Sequence, residues 1–423
     1  MRLSAEVGDK SQATARPLDI EKVRAEFPAL AGGFVFLDNA GGSLVLRGVA
    51  DRVREYLLTT SVQLGATYET SRSASERVLA ARRSMAELVN AYHDEEVVIG
   101  GSTTALLRML SHALLPSIEP GDEIIVTDVD HEANIGAWLL LAEAGAVIKV
   151  WEINRDTLEL DLEAFDALVT PRLKWVAMTQ ASNILGTIND VKAVARRTHA
   201  VGARLCVDAV AYAPHRLVDV RACEADIVVF SLYKLFGPHQ AVLWGRRDLL
   251  LSLPTQNHAF IGSDILPYKL QPGNVNFELS YGCIGIPEYL CDVGASTTAS
   301  TGVRQRMQAA FDAFSAHEDA LAERLLAWLR ASEAVRIIGR PSAASGQRLP
   351  TISFVIEGAR PADVVEHVDR LGIGIRHGNF YAKRLIRAIG LEEAGGVIRV
   401  SMAHYNTESE IDLLMEALSP FVP

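Results

Sequence analysis

The chain has 423 residues, 49% of them hydrophobic and 22% charged, with a formal net charge of −11. That length suits a large domain plus a smaller one, and the acidic balance argues against a nucleic-acid or anionic-membrane partner. No apolar run reaches the roughly 18 residues of a membrane-spanning helix. Cys206, Cys223, Cys283 and Cys291 have no metal-site spacing, so reduced thiols in a cytoplasmic protein are expected.

The opening "MRLSAEVGDKSQATARP" lacks the apolar segment of a secretory signal, and residues 1–18 are expected to be a disordered tail. "DIEKVRAEFPAL" predicts a short helix opened by Asp19, within a segment 19–35 expected to pack on the C-terminal part of the chain. "FVFLDNAGGS" reads as a strand running into a Gly-rich turn, and 47–60 and 71–91 as amphipathic helices. From "EEVVIGGSTTALLRMLSHAL" onward the pattern alternates. Strands in "DEIIVTDVDHEAN", "AVIKVWEI", "LKWVAMTQ", "ARLCVDAV", "ADIVVFSLYK" and "AVLWG" are separated by helices such as "IGAWLLLAEA" and "VKAVARRTHAVG". Short runs rich in Val and Ile predict an α/β domain over 36–298, with a mostly parallel sheet of about seven strands buried on both faces. The texture changes near residue 299. A helix over 301–330, strands "VRIIG", "TISFVIEG", "GIRHG" and "VIRVSM", and helices at "ADVVEHVDRLG" and 407–419 predict a smaller α+β domain over 299–423.

Parallel sheets bind ligands beyond the carboxyl ends of their strands, and the polar residues gather there. Ser102 and Thr103 stand where a strand turns into a helix, whose free N–H groups and dipole suit a phosphate; an N-cap accounts for Ser102 equally well. His131 and Asn134 follow the next strand, where a lone His is ordinarily a surface or core residue. Asn183 follows another, with Gly186 behind it, as a plain turn would have. Asp208 ends "RLCVDAV", and a carboxylate closing an apolar strand is costly without a partner. Ser231, Tyr233 and Lys234 close "VVFSLYK". Each residue has a structural explanation, but five polar strand ends together point to chemistry.

A desolvated lysine loses proton affinity and becomes a nucleophilic amine. An acidic partner can hold a pyridine nitrogen protonated. A phosphate site, a buried acid and a buried lysine are the requirements of pyridoxal phosphate.

With those residues in place, the stretches "FLDNAGGS", "GGSTTALL", "DHEANIGAW", "SNILGTINDVKAV", "VDAVAYAPHRLVDV", "VVFSLYKLFGP" and "IRVSMAHYNTESEID" resemble the class V aminotransferase group of fold-type I pyridoxal-phosphate enzymes, in its cysteine desulfurase and selenocysteine lyase branch. The resemblance implies that Lys234 carries the cofactor aldehyde and Asp208 binds the ring nitrogen. It implies that His131 stacks on the ring and assists proton transfer, and that Ser102, Thr103, Ser231 and Tyr233 hold the phosphate. Asn274 would reach the phosphate across a homodimer. Asn183, Arg399 and Arg376 would hold the α-carboxylate of a small amino acid, for which an Arg fork is suited.

The chain also departs from that branch. Desulfurases carry a loop of the form Arg-x-Gly-His-His-Cys, and here it reads "RHGNFY", with Tyr381 at the cysteine position. A phenol cannot take up sulfur as a thiolate does. Tyr233 stands where His is usual, and Ala211 replaces a Gln that contacts the ring hydroxyl. Cys283 and Cys291 lie in or near a stretch that could approach the site. The expectation is a lyase acting by C–S or another β-elimination without a persulfide relay. The alternatives are an aminotransferase or amino-acid epimerase, and a cofactor-binding protein without turnover.

Overall fold

A computed structural model describes residues 18–343 and 346–422. The tail expected over 1–18 lies, apart from Leu18, outside the described residues. Asp19 accepts from Lys22 N–H and caps the helix Ile20–Ala25. The strands in chain order are β1 (Val35–Phe36), β2 (Val97–Gly100), β3 (Glu123–Thr127), β4 (Val147–Trp151), β5 (Leu173–Thr179), β6 (Arg204–Asp208), β7 (Ile227–Ser231), β8 (Ala241–Gly245), β9 (Val335–Ile338), β10 (Thr351–Ile356), β11 (Ile373–Gly374), β12 (Arg376–Gly378) and β13 (Val397–Ser401).

Seven strands form the central sheet in the order β2-β8-β7-β6-β5-β3-β4. All run parallel except β8, which is antiparallel to both β2 and β7. Alternate residues feed opposite faces. Ile125, Val176, Val207 and Phe230 join one core, while Ile124, Ala177, Cys206 and Val229 join the other. Period-2 side-chain alternation thus yields two apolar faces, which is why the strands read as unbroken hydrophobic runs.

The sheet order β12-β13-β10-β9 packs with the long helix Val303–Arg330 and the helices Pro361–Asp369 and Glu408–Leu418. "GIRHG", expected as one strand, is two. On one side of Ile375, β11 pairs with β1; on the other, β12 pairs with β13. The segment 19–35 touches both bodies. Arg24 bonds Glu410 at 2.9 Å, and the Phe27 ring lies 5.7 Å from those of Phe236 and Tyr289. The stretch around "LQPGNVNFELSYGCIGI", not assigned from the sequence, holds the helices Phe277–Gly282 and Gly285–Thr297.

One contact between the bodies needs glycine. Gly186 has φ +70°, and a Cβ there would stand 2.5 Å from the Thr351 carbonyl oxygen. Its absence lets the loop after β5, which carries Asn183, lie against β10.

Candidate active site

Five strand ends converge on one cavity. Ser102, Thr103 and Thr104 line it beyond β2, His131 beyond β3, and Thr179, Ala181 and Asn183 at and beyond β5. Asp208, Val210 and Ala211 line it from β6, and Ser231, Tyr233 and Lys234 from β7. The sequence-predicted Ser102, Thr103, His131, Asn183, Asp208, Ser231, Tyr233 and Lys234 are therefore brought together.

Local sequence explains each placement. Gly101 and Ser102 follow β2, and Ser102 Oγ caps the helix Thr103–Leu114 by accepting from Ala105 N–H at 3.1 Å. Its hydroxyl proton stays free to donate, and Thr103 and Ser231 share a hydrogen bond of 2.8 Å. Two hydroxyls at a helix N-terminus, with that of Ser231 at the end of β7 beside them, make a site suited to a phosphate. Past β7 the chain makes one tight turn, Leu232–Lys234. The "AGGS" turn grips it: Ser43 N–H donates to the Tyr233 carbonyl at 3.1 Å, and Phe236 N–H donates to Ser43 Oγ at 2.8 Å. The Tyr233 ring stacks on His239 at 5.0 Å.

Lys234 is 6% exposed, and its Nζ makes no hydrogen bond or ion pair among the described residues. Burial, helped by Arg399, lowers its pKa to about 8 against the opposing pull of Asp208 and Asp38. Asp208 is buried at the end of the neighbouring strand, and burial raises its pKa to about 6. One of its oxygens accepts from Val210 N–H at 2.8 Å. His131 is itself an N-cap, its Nδ1 accepting from Ala133 N–H at 3.1 Å. That bond leaves the proton on Nε2. Burial, with Lys234 and Arg399 adding to it, lowers the pKa to about 4, so the ring is neutral at pH 7.

Arg399 does not line this cavity but borders it from β13. Its guanidinium donates to the Asn183 carbonyl at 3.2 Å and to Asp38 at 3.0 Å, and its Nε is buried without a partner among the described residues. Arg376 stands opposite Arg399 on the adjacent strand and reaches the other Asp38 oxygen at 2.9 Å. Asn274 is exposed and lies outside the cavity of the single chain. Asn134 is turned away, donating to Asp130 at 2.7 Å and accepting from Trp138 Nε1 at 3.1 Å.

The sequence reasoning missed three features. Asp38 positions both arginines; its signal was a carboxylate closing "FVFLD". Asp130 is buried beside the site and burial lifts its pKa to about 7. Phe380 has φ 49° and Tyr381 φ 60°, a left-handed conformation that costs side-chain-bearing residues about 1–3 kcal/mol each. Among the described residues no cysteine lines the cavity. Cys283, expected near the site, is fully buried against Gln240 and Leu279, and Cys291 faces Val303. All four thiols are free, and burial raises the pKa of each.

These residues fit pyridoxal phosphate. A buried, unpaired amine suits the aldehyde, a buried carboxylate suits the ring nitrogen, and the hydroxyl-lined helix start suits the phosphate. Comparison with known proteins agrees. Residues 35–414 match the family described as Aminotransferase class-V. The chain belongs to that family, whose members are pyridoxal-phosphate-dependent enzymes. The aminotransferase-like protein FGM3 of Gibberella zeae is 41% identical, covering 94% of this chain and 97% of its own. The cysteine desulfurase-like protein ustD of Aspergillus flavus is 31% identical, covering 96% and 91%. Among solved structures, the cysteine desulfurase CsdA of Escherichia coli matches with a TM-score of 0.81 and 27% identity, over 96% of this chain and 98% of that one.

Proposed function

We propose that the protein is a lyase acting on a small amino acid, cleaving a C–S or other β bond by elimination without a persulfide relay. The observation that carries this is the composition of the site: an amine, an acid and hydroxyls at a helix start are assembled, and among the described residues no thiol lines the cavity. Elimination needs no external nucleophile.

Pyridoxal phosphate, when bound, supplies an electron sink for charge developing at the substrate Cα. Lys234 would hold the cofactor aldehyde, and its free amine would move the Cα proton. Asp208 keeps the ring nitrogen protonated. Ser102, Thr103, Ser231 and Tyr233 anchor the phosphate end. Neutral His131 packs against the ring and offers its Nε2 proton. Asn183 and Arg399, with Arg376 beside it, bind the α-carboxylate. The chain divides into a large part, 36–298, which lines the cavity, and a small part, 299–423, whose Arg399 borders it. The working unit is a cytoplasmic homodimer, in which Asn274 reaches the partner's phosphate site; a monomer in light scattering at micromolar concentration would refute the dimer.

The test is incubation of holoenzyme with L-cysteine. Elimination plus hydrolysis converts cysteine and water into pyruvate, sulfide and ammonia, so the three products should appear in equal amounts without added thiol. Intact-protein mass spectrometry should show no sulfur adduct. A persulfide on Cys283 or Cys291, lost with activity on mutation to Ala, would overturn the reading. A requirement for an added keto acid would replace it with transamination.

A further inference from the structure

The segment after β12 is fastened to the site by two aromatic residues. Asn183 Nδ2 donates to the Phe380 carbonyl at 3.0 Å. The Phe380 ring covers the flat face of the Arg399 guanidinium at 3.7 Å. The Tyr381 ring lies 5.3 Å from His131. The Tyr381 carbonyl accepts from Glu132 N–H, next to His131, at 2.8 Å. Arg384 adds an ion pair to Glu132 at 3.2 Å. Both aromatic residues have positive φ, and backbone strain of this kind persists where the surroundings enforce it. Arg399 is 1% exposed, and its Nε has no partner among the described residues. A buried donor without a partner calls for a ligand, and a carboxylate suits it.

We propose that Phe380 and Tyr381 are the residues that select the substrate side chain; this rests on the amino-acid reading above. An α-amino acid held by its carboxylate at Arg399 and Asn183, and by its nitrogen near Lys234, has one further large group to place at Cα. Phe380 covers Arg399 and Tyr381 lies beside His131, both just outside the cavity lining, so on this proposal that group extends from the cavity toward these two rings. Phe380 is partly buried on a small apolar cluster that includes Ile184 and Leu385, which makes it a firm wall. Tyr381 is 73% exposed and adds a phenol at the mouth. An apolar wall distinguishes substrates by about 10–200-fold per methylene group. Removing it should change relative rather than absolute affinities.

The experiment is a titration of holoenzyme with each standard amino acid, followed by the cofactor absorbance. Phe380→Ala should raise the affinity ratio of L-leucine to L-alanine by about tenfold or more, the low end of a one-methylene effect. Phe380→Leu, which keeps apolar bulk, should return the ratio toward the wild-type value. A uniform change across all amino acids, or none, in both variants would overturn the proposal and assign Phe380 a purely structural role. A wild-type cofactor band that responds to no amino acid would instead overturn the amino-acid reading itself, and this proposal with it.

Discussion

Asp38 and Arg399, 361 positions apart in the chain, form a buried ion pair at 3.0 Å. The second Asp38 oxygen takes Arg376 at 2.9 Å. One carboxylate thus holds the two arginines that face each other across β12 and β13. Removing one partner of a buried pair leaves an uncompensated charge, at a cost of about 3–5 kcal/mol. Asp38→Asn should lower stability by that amount in denaturant unfolding. It should also raise KM for the amino-acid substrate more than it lowers kcat, because the arginines lose their orientation. Unchanged stability would show that Asp38 is dispensable.

Lys234 is buried without a partner among the described residues. Holoenzyme should be yellow, and borohydride should fix the cofactor covalently to this side chain. Lys234→Ala should bind cofactor without that attachment, as peptide mapping after reduction would show. Attachment at another lysine would refute the assignment.

Asp208→Asn should keep the cofactor and lose activity by about 10²–10³-fold, the size of effect seen when one preorganised electrostatic partner of a transition state is removed. Absorbance reports retention and turnover reports the loss. Wild-type turnover would make Asp208 a structural residue.

The Lys234 pKa, lowered to about 8 by burial, has two consequences in cofactor-free protein. Only the neutral amine captures an aldehyde, so the capture rate should rise about tenfold per pH unit and level off near pH 8. Between pH 8 and the ordinary lysine value of 10.5, the unfolded chain binds the extra proton, so this residue's contribution makes stability rise with pH across that window. Stopped-flow absorbance tests the first consequence. A capture rate still climbing steeply at pH 10 would mean that the amine is not desolvated.

Much of this was legible in the sequence because the signals are local. Alternating strands and helices announced the α/β architecture, since side-chain periodicity follows from backbone geometry alone. The polar residues closing β2, β3, β5, β6 and β7 were legible because a parallel sheet points its carboxyl ends one way. Even the missing loop thiol was visible, as Tyr381. What no local pattern carries is the meeting of distant segments. The antiparallel setting of β8, the split of "GIRHG" between two sheets, and the service of Asp38 to Arg376 and Arg399 all depend on long-range pairing. Whether His131 caps a helix or hangs in a loop depends on where the chain turns. Phe380 seats on Asn183 and Arg399 only because tertiary packing holds two aromatic residues in a conformation their own sequence disfavours.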